Sequence, residues 1–173
     1  DSALFDFYDG TGDYQETFYI NSSRVFYSWD PGHTFGYPSL QDYSGNPGGV
    51  NFEDEWIFIS YGINDTSNEL TLYVGCQSSL DAAVAASGAT NWDYDGLGTL
   101  LPVDEYGLYK ETASVTITEA SFDQFIIGQN ADGVTVPEGA RCQIGMVGVF
   151  GVVLGDAQVV ANWVGSRSTY YIT

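Results

Sequence analysis

The stretch Asp54–Gly75, DEWIFISYGINDTSNELTLYVG, decides the fold class. A bulky apolar strand, Trp56-Ile57-Phe58-Ile59, leads into a polar run and then into a second strand whose apolar residues alternate. Leu70, Leu72 and Val74 fall on one face, Thr71 and Tyr73 on the other, the period of two that predicts a half-buried strand. Asn64-Asp65-Thr66-Ser67-Asn68 supplies the turn, because short polar side chains bond their own backbone and tolerate tight geometry.

The same alternation of short strands and turn chemistry extends in both directions. Ala3–Tyr8, Thr17–Ile20 and Arg24–Trp29 read as strands, broken by Asp9-Gly10-Thr11-Gly12-Asp13 and Asn21-Ser22-Ser23. Asp30–Gly49 reads as a long loop with one short strand around Ser39–Tyr43, and loops of that length are often functional. After the hairpin, Asp81–Ala86 has the best helix propensity of the chain, with Ser78 or Ser79 as its cap. Asn91–Glu105 is a second acidic, aromatic loop. Ala113–Thr118 and Gln124–Gly128 are further strands, and Arg141–Val153 is the longest expected strand. Asp156 reads as the N-cap of a short helix, Ala157–Trp163. Eight or more strands with one or two very short helices predict an all-β antiparallel sandwich. No repeat, linker or composition break divides 1–173, so a single domain is expected.

Composition agrees: 13 Tyr, 10 Phe and 4 Trp are β-like, and 21 Gly serve turns and bulges. Asp and Glu number 23 against 4 Lys and Arg, a formal charge of −19 that repels phosphate backbones and excludes nucleic acid as an expected partner. Three readings of the acidity stand: a surface selected for solubility, a binder of hard divalent cations, or adaptation to high salt. No apolar run approaches the roughly 20 residues of a membrane helix, so membrane insertion is not expected. The chain begins at Asp1 without a visible signal peptide, which reads as a processed or trimmed N-terminus. Cys76 and Cys142 lack metal-ligand or redox spacing. Either a disulfide between them, worth roughly 2–4 kcal/mol, or two buried thiols fits their strand-like contexts. Asn21-Ser22-Ser23 and Asn64-Asp65-Thr66 match the short glycosylation acceptor pattern.

The order of these pieces resembles laminin-G-like, concanavalin-like jelly rolls. The resemblance is carried by Trp56–Ile59 and Leu70–Gly75 as the central hairpin, and by Phe125-Ile126-Ile127-Gly128 as the family's apolar-Ile-Gly strand. Gln143–Phe150 is similar to its Gly-containing apolar strand, and Leu154-Gly155-Asp156-Ala157-Gln158 to its closing turn and short helix. The match is weak over 1–50 and absent over 78–112, and Arg141-Cys142-Gln143 departs from the usual aromatic-x-Gly opening. The resemblance implies a jelly roll working outside the cytoplasm, on a cell surface or a virion. It also implies calcium as the cofactor, held by Asp and carbonyl groups at a sheet rim. Asp9 with Asp13, and Asp93 with Asp95, are the candidate ligands; neither pair follows the EF-hand pattern, and a solvated loop is the alternative for each.

Catalysis finds no support. Glycan-cleaving members of this fold carry Glu-x-Asp-x-x-Glu on one strand, which this chain lacks; Glu53-Asp54-Glu55 are consecutive and read as a solvated strand entry. The single histidine, His33, has no Ser or Cys in an elbow-like Gly context to activate. Sugar recognition uses aromatic platforms beside polar groups. Trp29, His33 and Tyr37 in the first long loop, with Trp92 and Tyr94 in the second, are the candidates; loop anchoring is the plainer role for such aromatics. Trp56 and Trp163 are assigned to the core. The sequence thus predicts a non-catalytic domain that binds a carbohydrate or surface ligand. The alternative is a structural or decoration subunit of a virus particle or cell-surface assembly, partnered by neighbouring subunits, copies of itself included. An apolar patch or an unpaired edge strand would mark the second.

Overall fold

The computed structural model describes residues 2–8, 15–20, 26–28, 56–77, 79–81, 107–117, 124–127 and 143–170. These are mostly β, in two antiparallel sheets, with one long helix. The chain clusters into two compact units, each drawn from three separate stretches: Asp1–Ser39, Asn64–Glu69 and Ala113–Val149, and Leu40–Ile63, Leu70–Thr112 and Phe150–Thr173.

The first unit holds a four-stranded sheet in the order β3-β2-β1-β7, formed by β1 (Ser2–Tyr8), β2 (Gln15–Ile20), β3 (Phe26–Ser28) and β7 (Gln124–Ile127). β1 is central: Asp6 lies opposite Thr17 of β2 and Ile126 of β7, and an irregularity shifts the β1–β2 register between Ala3 and Phe5. Residues two apart share a face, so Phe5 and Phe7 meet Phe125 at centroid distances of 6.1 and 5.0 Å, an aromatic cluster across the β1–β7 pair. Asp6 takes the opposite face and is fully buried there.

The second sheet has the order β4-β5-β6, with β4 at Phe58–Asn64, β5 at Glu69–Gly75 and β6 at Leu108–Ser114. Its hairpin turns where expected. The Ser67 N–H donates to Asn64 Oδ1 at 3.1 Å, and Asn68 adopts the left-handed region at φ 52°, which Asn tolerates better than most residues. β6 begins earlier than the alternation at Ala113–Thr118 predicts, and 115–117 continue beyond it outside the strand.

Two expectations are corrected in the second unit. β5 is not half-buried: Thr71 and Tyr73 are as enclosed as Leu70, Leu72 and Val74. The physical reason at Tyr73 is the helix α1, Asp156–Tyr170, which covers it. This helix has 15 residues, where a very short one ending at Trp163 is expected. Gly165, Ser166, Ser168 and Thr169 weaken local propensity, but burial of Val159, Val160, Trp163 and Ser166 along one stripe carries the helix past them. Its N-cap is Gly155 rather than Asp156. The Gly155 carbonyl accepts from the N–H groups of Gln158 and Val159, and Gln158 Oε1 returns to accept the Gly155 N–H at 2.9 Å.

Tyr73, Leu80, Leu108, Val159, Val160 and Trp163 form the buried core of this unit, with Phe58, Leu154 and Val164 packed against it. Trp163 is fully buried, its ring 5.6 Å from that of Phe58; Trp56 is half-buried and lies 4.9 Å from Tyr170. After β5 residues 77 and 79–81 are helical, and the Leu80 N–H donates to the Cys76 carbonyl; Ser78 and the remainder of the expected helix, 82–86, lie outside the described residues. Ser79 Oγ accepts the Cys76 N–H at 2.8 Å, and its proton is placed between the carbonyls of Gly107 (2.6 Å) and Cys76 (2.9 Å). Gly107 sits at φ +71° directly against the backbone of Ser79 and Leu80.

The largest departure is the segment 143–153. The expected strand Arg141–Val153 is absent over these residues, which take no regular secondary structure and pair with no strand among the described residues. Alternation specifies how side chains divide between faces; a strand also needs a neighbour for its backbone, and among the described residues this segment has none.

Candidate functional site

The site begins from that segment, Gln143-Ile144-Gly145-Met146-Val147-Gly148-Val149-Phe150-Gly151-Val152-Val153. It carries no charged residue in a chain of net charge −19. Met146, Val149, Phe150 and Val152 are 65, 62, 55 and 68 % exposed, and Ile144, Val147 and Val153 are also exposed. Isolated exposed apolar side chains are ordinary; here seven of eleven consecutive residues are apolar and exposed. Its C-terminal end is held: Val153 Cγ1 lies against the backbone of β4, where a Cβ on Gly62 would meet it at 3.4 Å.

The hold is completed at the start of α1. Asp156 Oδ1 accepts hydrogen bonds from Lys110 Nζ and from Tyr73 Oη, both at 2.7 Å. Lys110 Nζ also stands 5.4 Å from the centre of the Tyr73 ring, within cation–π range. The Lys110 ammonium first, and the Tyr73 hydroxyl second, hold the Asp156 carboxyl below its ordinary value, against a smaller desolvation effect. Asp156 is half exposed, so the ion pair itself is weakened by water; the Tyr73 bond, reaching from the buried strand, fixes the geometry. The three residues latch α1 to β5 and β6 and so fix where the apolar segment leaves the core. They form a clasp: one oxygen takes both donors, and the tyrosine ring lies in the core cluster.

None of the residues named from the sequence as ligand or metal contacts is among the described residues. Trp29, His33, Tyr37, Trp92 and Tyr94, and the acids Asp9, Asp13, Asp93 and Asp95, lie outside the described residues, as do Cys142 and Glu53-Asp54-Glu55. Cys76 is buried at the end of β5. Among the described residues no group of three or more His, Cys, Asp or Glu is placed to hold a metal ion, and no helix is long and apolar enough to cross a membrane. The clasp was not legible: Lys110 stands in a strand no pattern marked, and Asp156 looked like a cap. Scarcity was the available signal, since each of four cations among 23 acids has many carboxylates to choose from.

Comparison with family models, with curated proteins and with solved structures returns no match to this chain.

Proposed function

We propose that this chain is a non-catalytic structural subunit, a concanavalin-like jelly roll that docks on a neighbouring protein subunit through 143–153, at a particle or cell surface. The observation that supports it is the eleven-residue uncharged segment with seven exposed apolar side chains. Such a surface is costly in water, at roughly 25 cal/mol per Å² of apolar area left uncovered, and a protein partner recovers that cost. The jelly-roll reading draws on the two antiparallel sheets and on the β4–β5 hairpin with its Asn-rich turn. The strong negative charge keeps such subunits dispersed until the apolar segment is engaged.

Native mass spectrometry beside a glycan array, each run with calcium and with chelator, tests the reading. Assembled species with a blank array are expected. A monomer that binds a defined sugar class only with calcium would replace this reading with the lectin-like one and direct attention to Trp92, Asp93 and Asp95.

A further inference from the structure

We infer that Asn64 is a modification site, the acceptor of an N-linked oligosaccharide drawn from a lipid-pyrophosphate donor, at the turn between β4 and β5. This rests on the surface reading above, because such transfer takes place in a secretory compartment. Asn64-Asp65-Thr66 carries the acceptor pattern, a side-chain amide with a hydroxyl two residues on. So short a pattern is common in proteins, and the geometry of the turn is what makes this copy usable.

Asp65, Thr66, Ser67 and Asn68 are all exposed. Asn64 closes β4 half-buried, and its Oδ1 accepts the Ser67 N–H at 3.1 Å. A backbone N–H is met only by the oxygen of a side-chain amide, so this bond assigns the two ends of the group. The amide is planar, and Nδ2 therefore points away from the Ser67 N–H; among the described residues it donates to no protein group. Thr66 Oγ1 reaches Asp65 Oδ1 at 3.4 Å, beyond the range of a strong O–H···O bond, so the hydroxyl is open to a transferase.

Asn68, four residues on in the same turn, shows an asparagine committed to the fold. Its Oδ1 accepts the Ile117 N–H at 3.1 Å, its carbonyl accepts the Val115 N–H at 2.9 Å, and its φ is 52°. Two residues beyond it stands Leu70, which has no hydroxyl. The other acceptor pattern, Asn21-Ser22-Ser23, lies outside the described residues.

Transfer forms the bond from Nδ2 to C1 of the first sugar and breaks the bond from C1 to the pyrophosphate oxygen. The lipid pyrophosphate leaves, and one Nδ2 proton passes to a base of the transferase. Oδ1 takes no part, so the Ser67 bond survives in the glycosylated chain.

The test uses the full chain directed to the secretory pathway of a eukaryotic cell, with that cell's own lipid-linked oligosaccharide, and recovered from medium and cell together. Digestion with peptide-N-glycosidase in heavy-oxygen water leaves a labelled aspartate at each former glycan site. Label at residue 64 is expected. Asn64→Asp, which keeps an oxygen for the Ser67 N–H, loses it; Thr66→Ala also loses it and Thr66→Ser retains it. By NMR, the Ser67 amide exchanges as slowly with the glycan attached as after its removal. Residue 64 recovered as unlabelled asparagine overturns the proposal, as does label that persists in Thr66→Ala. A Ser67 amide that exchanges freely only while the glycan is present overturns the fit of the sugar to this turn. Native mass of the same samples reads assembly separately, so failure at Asn64 and failure of docking through 143–153 are told apart.

Discussion

Gly107→Ala and Gly165→Ala make the same chemical change, and the structure assigns them opposite signs. At Gly107 a Cβ would stand 2.6 Å from Leu80 Cα, 2.7 Å from Leu80 N and 2.8 Å from the Ser79 carbonyl carbon. All three are backbone atoms of the helical turn, so no rotamer change relieves the overlap. The φ of +71° costs a residue with a Cβ about 1 kcal/mol. Forcing the turn aside costs roughly 1–3 kcal/mol more. Displacing the Gly107 carbonyl from Ser79 Oγ removes about 0.5–1.5 kcal/mol. A loss of roughly 3–5 kcal/mol follows, a large share of the about 5–15 kcal/mol that holds a typical domain. Gly165 is exposed within α1, with nothing within 4 Å of the added atom, and alanine there gains roughly 0.5–1 kcal/mol of helix propensity. Urea titrations read by tryptophan fluorescence separate the two. With a slope near 2 kcal/mol/M, the Gly107 variant falls by about 2 M at midpoint and the Gly165 variant rises by about 0.3–0.5 M. A Gly107 loss below about 1 kcal/mol would refute the close approach of 107 to 79–80.

Trp163→Ala empties the middle of the α1 contact and is expected to cost about 3–5 kcal/mol in the same titration, several times the effect of Trp163→Phe. Ser79→Ala strips the buried Cys76 N–H and the Gly107 carbonyl of a partner and is expected to cost about 1–3 kcal/mol, with Ser79→Thr as the control that keeps the hydroxyl. Asp156 has its carboxyl lowered in the folded protein, so its contribution is present above the ordinary carboxylate range and is lost as pH falls through and below it. Asp156→Asn therefore loses about 0.5–1 kcal/mol near pH 7, the size expected of a half-exposed pair, and the difference from the parent closes in acid. A gap that widened on acidification would contradict the clasp.

The hairpin was legible because its information is local. Asn64 and Asn68 each do in the fold what their short amides allow, one bonding the backbone three residues on, the other accepting a left-handed conformation. β1, β2, β3 and β7 were legible within two residues at each end for the same reason. What failed was decided by partners distant in sequence. Tyr73 carries the pattern of a solvent-facing residue, and only the arrival of α1 above it makes it core. The length of α1 follows from Ser166 and Tyr170 finding contacts that their propensities do not announce. Gly155 lost to Asp156 as the expected cap because side-chain preference favours aspartate there, whereas Asp156 is drawn off by Lys110 and Tyr73. The segment 143–153 has the alternation of a strand but no strand neighbour among the described residues, and no periodicity reports whether a neighbour exists. The candidate site was therefore legible as composition but not as geometry.

The order β3-β2-β1-β7 has a consequence for how this chain is made. A ribosome delivers β1, β2 and β3 together, and these can zip at once across short connections. The other flank of β1 must wait for Gln124–Ile127, more than a hundred residues later, and throughout that interval Phe5 and Phe7 are without the Phe125 ring they will meet. Late closure of this kind makes folding slow and leaves the nascent chain open to pairing with a neighbour on the same messenger. Slower translation ahead of residue 124 would prolong that exposure, while a chaperone that shields an unpaired flank would shorten its effect. The yield of this protein in a cell is accordingly expected to depend on the timing of synthesis as much as on the stability of the finished fold.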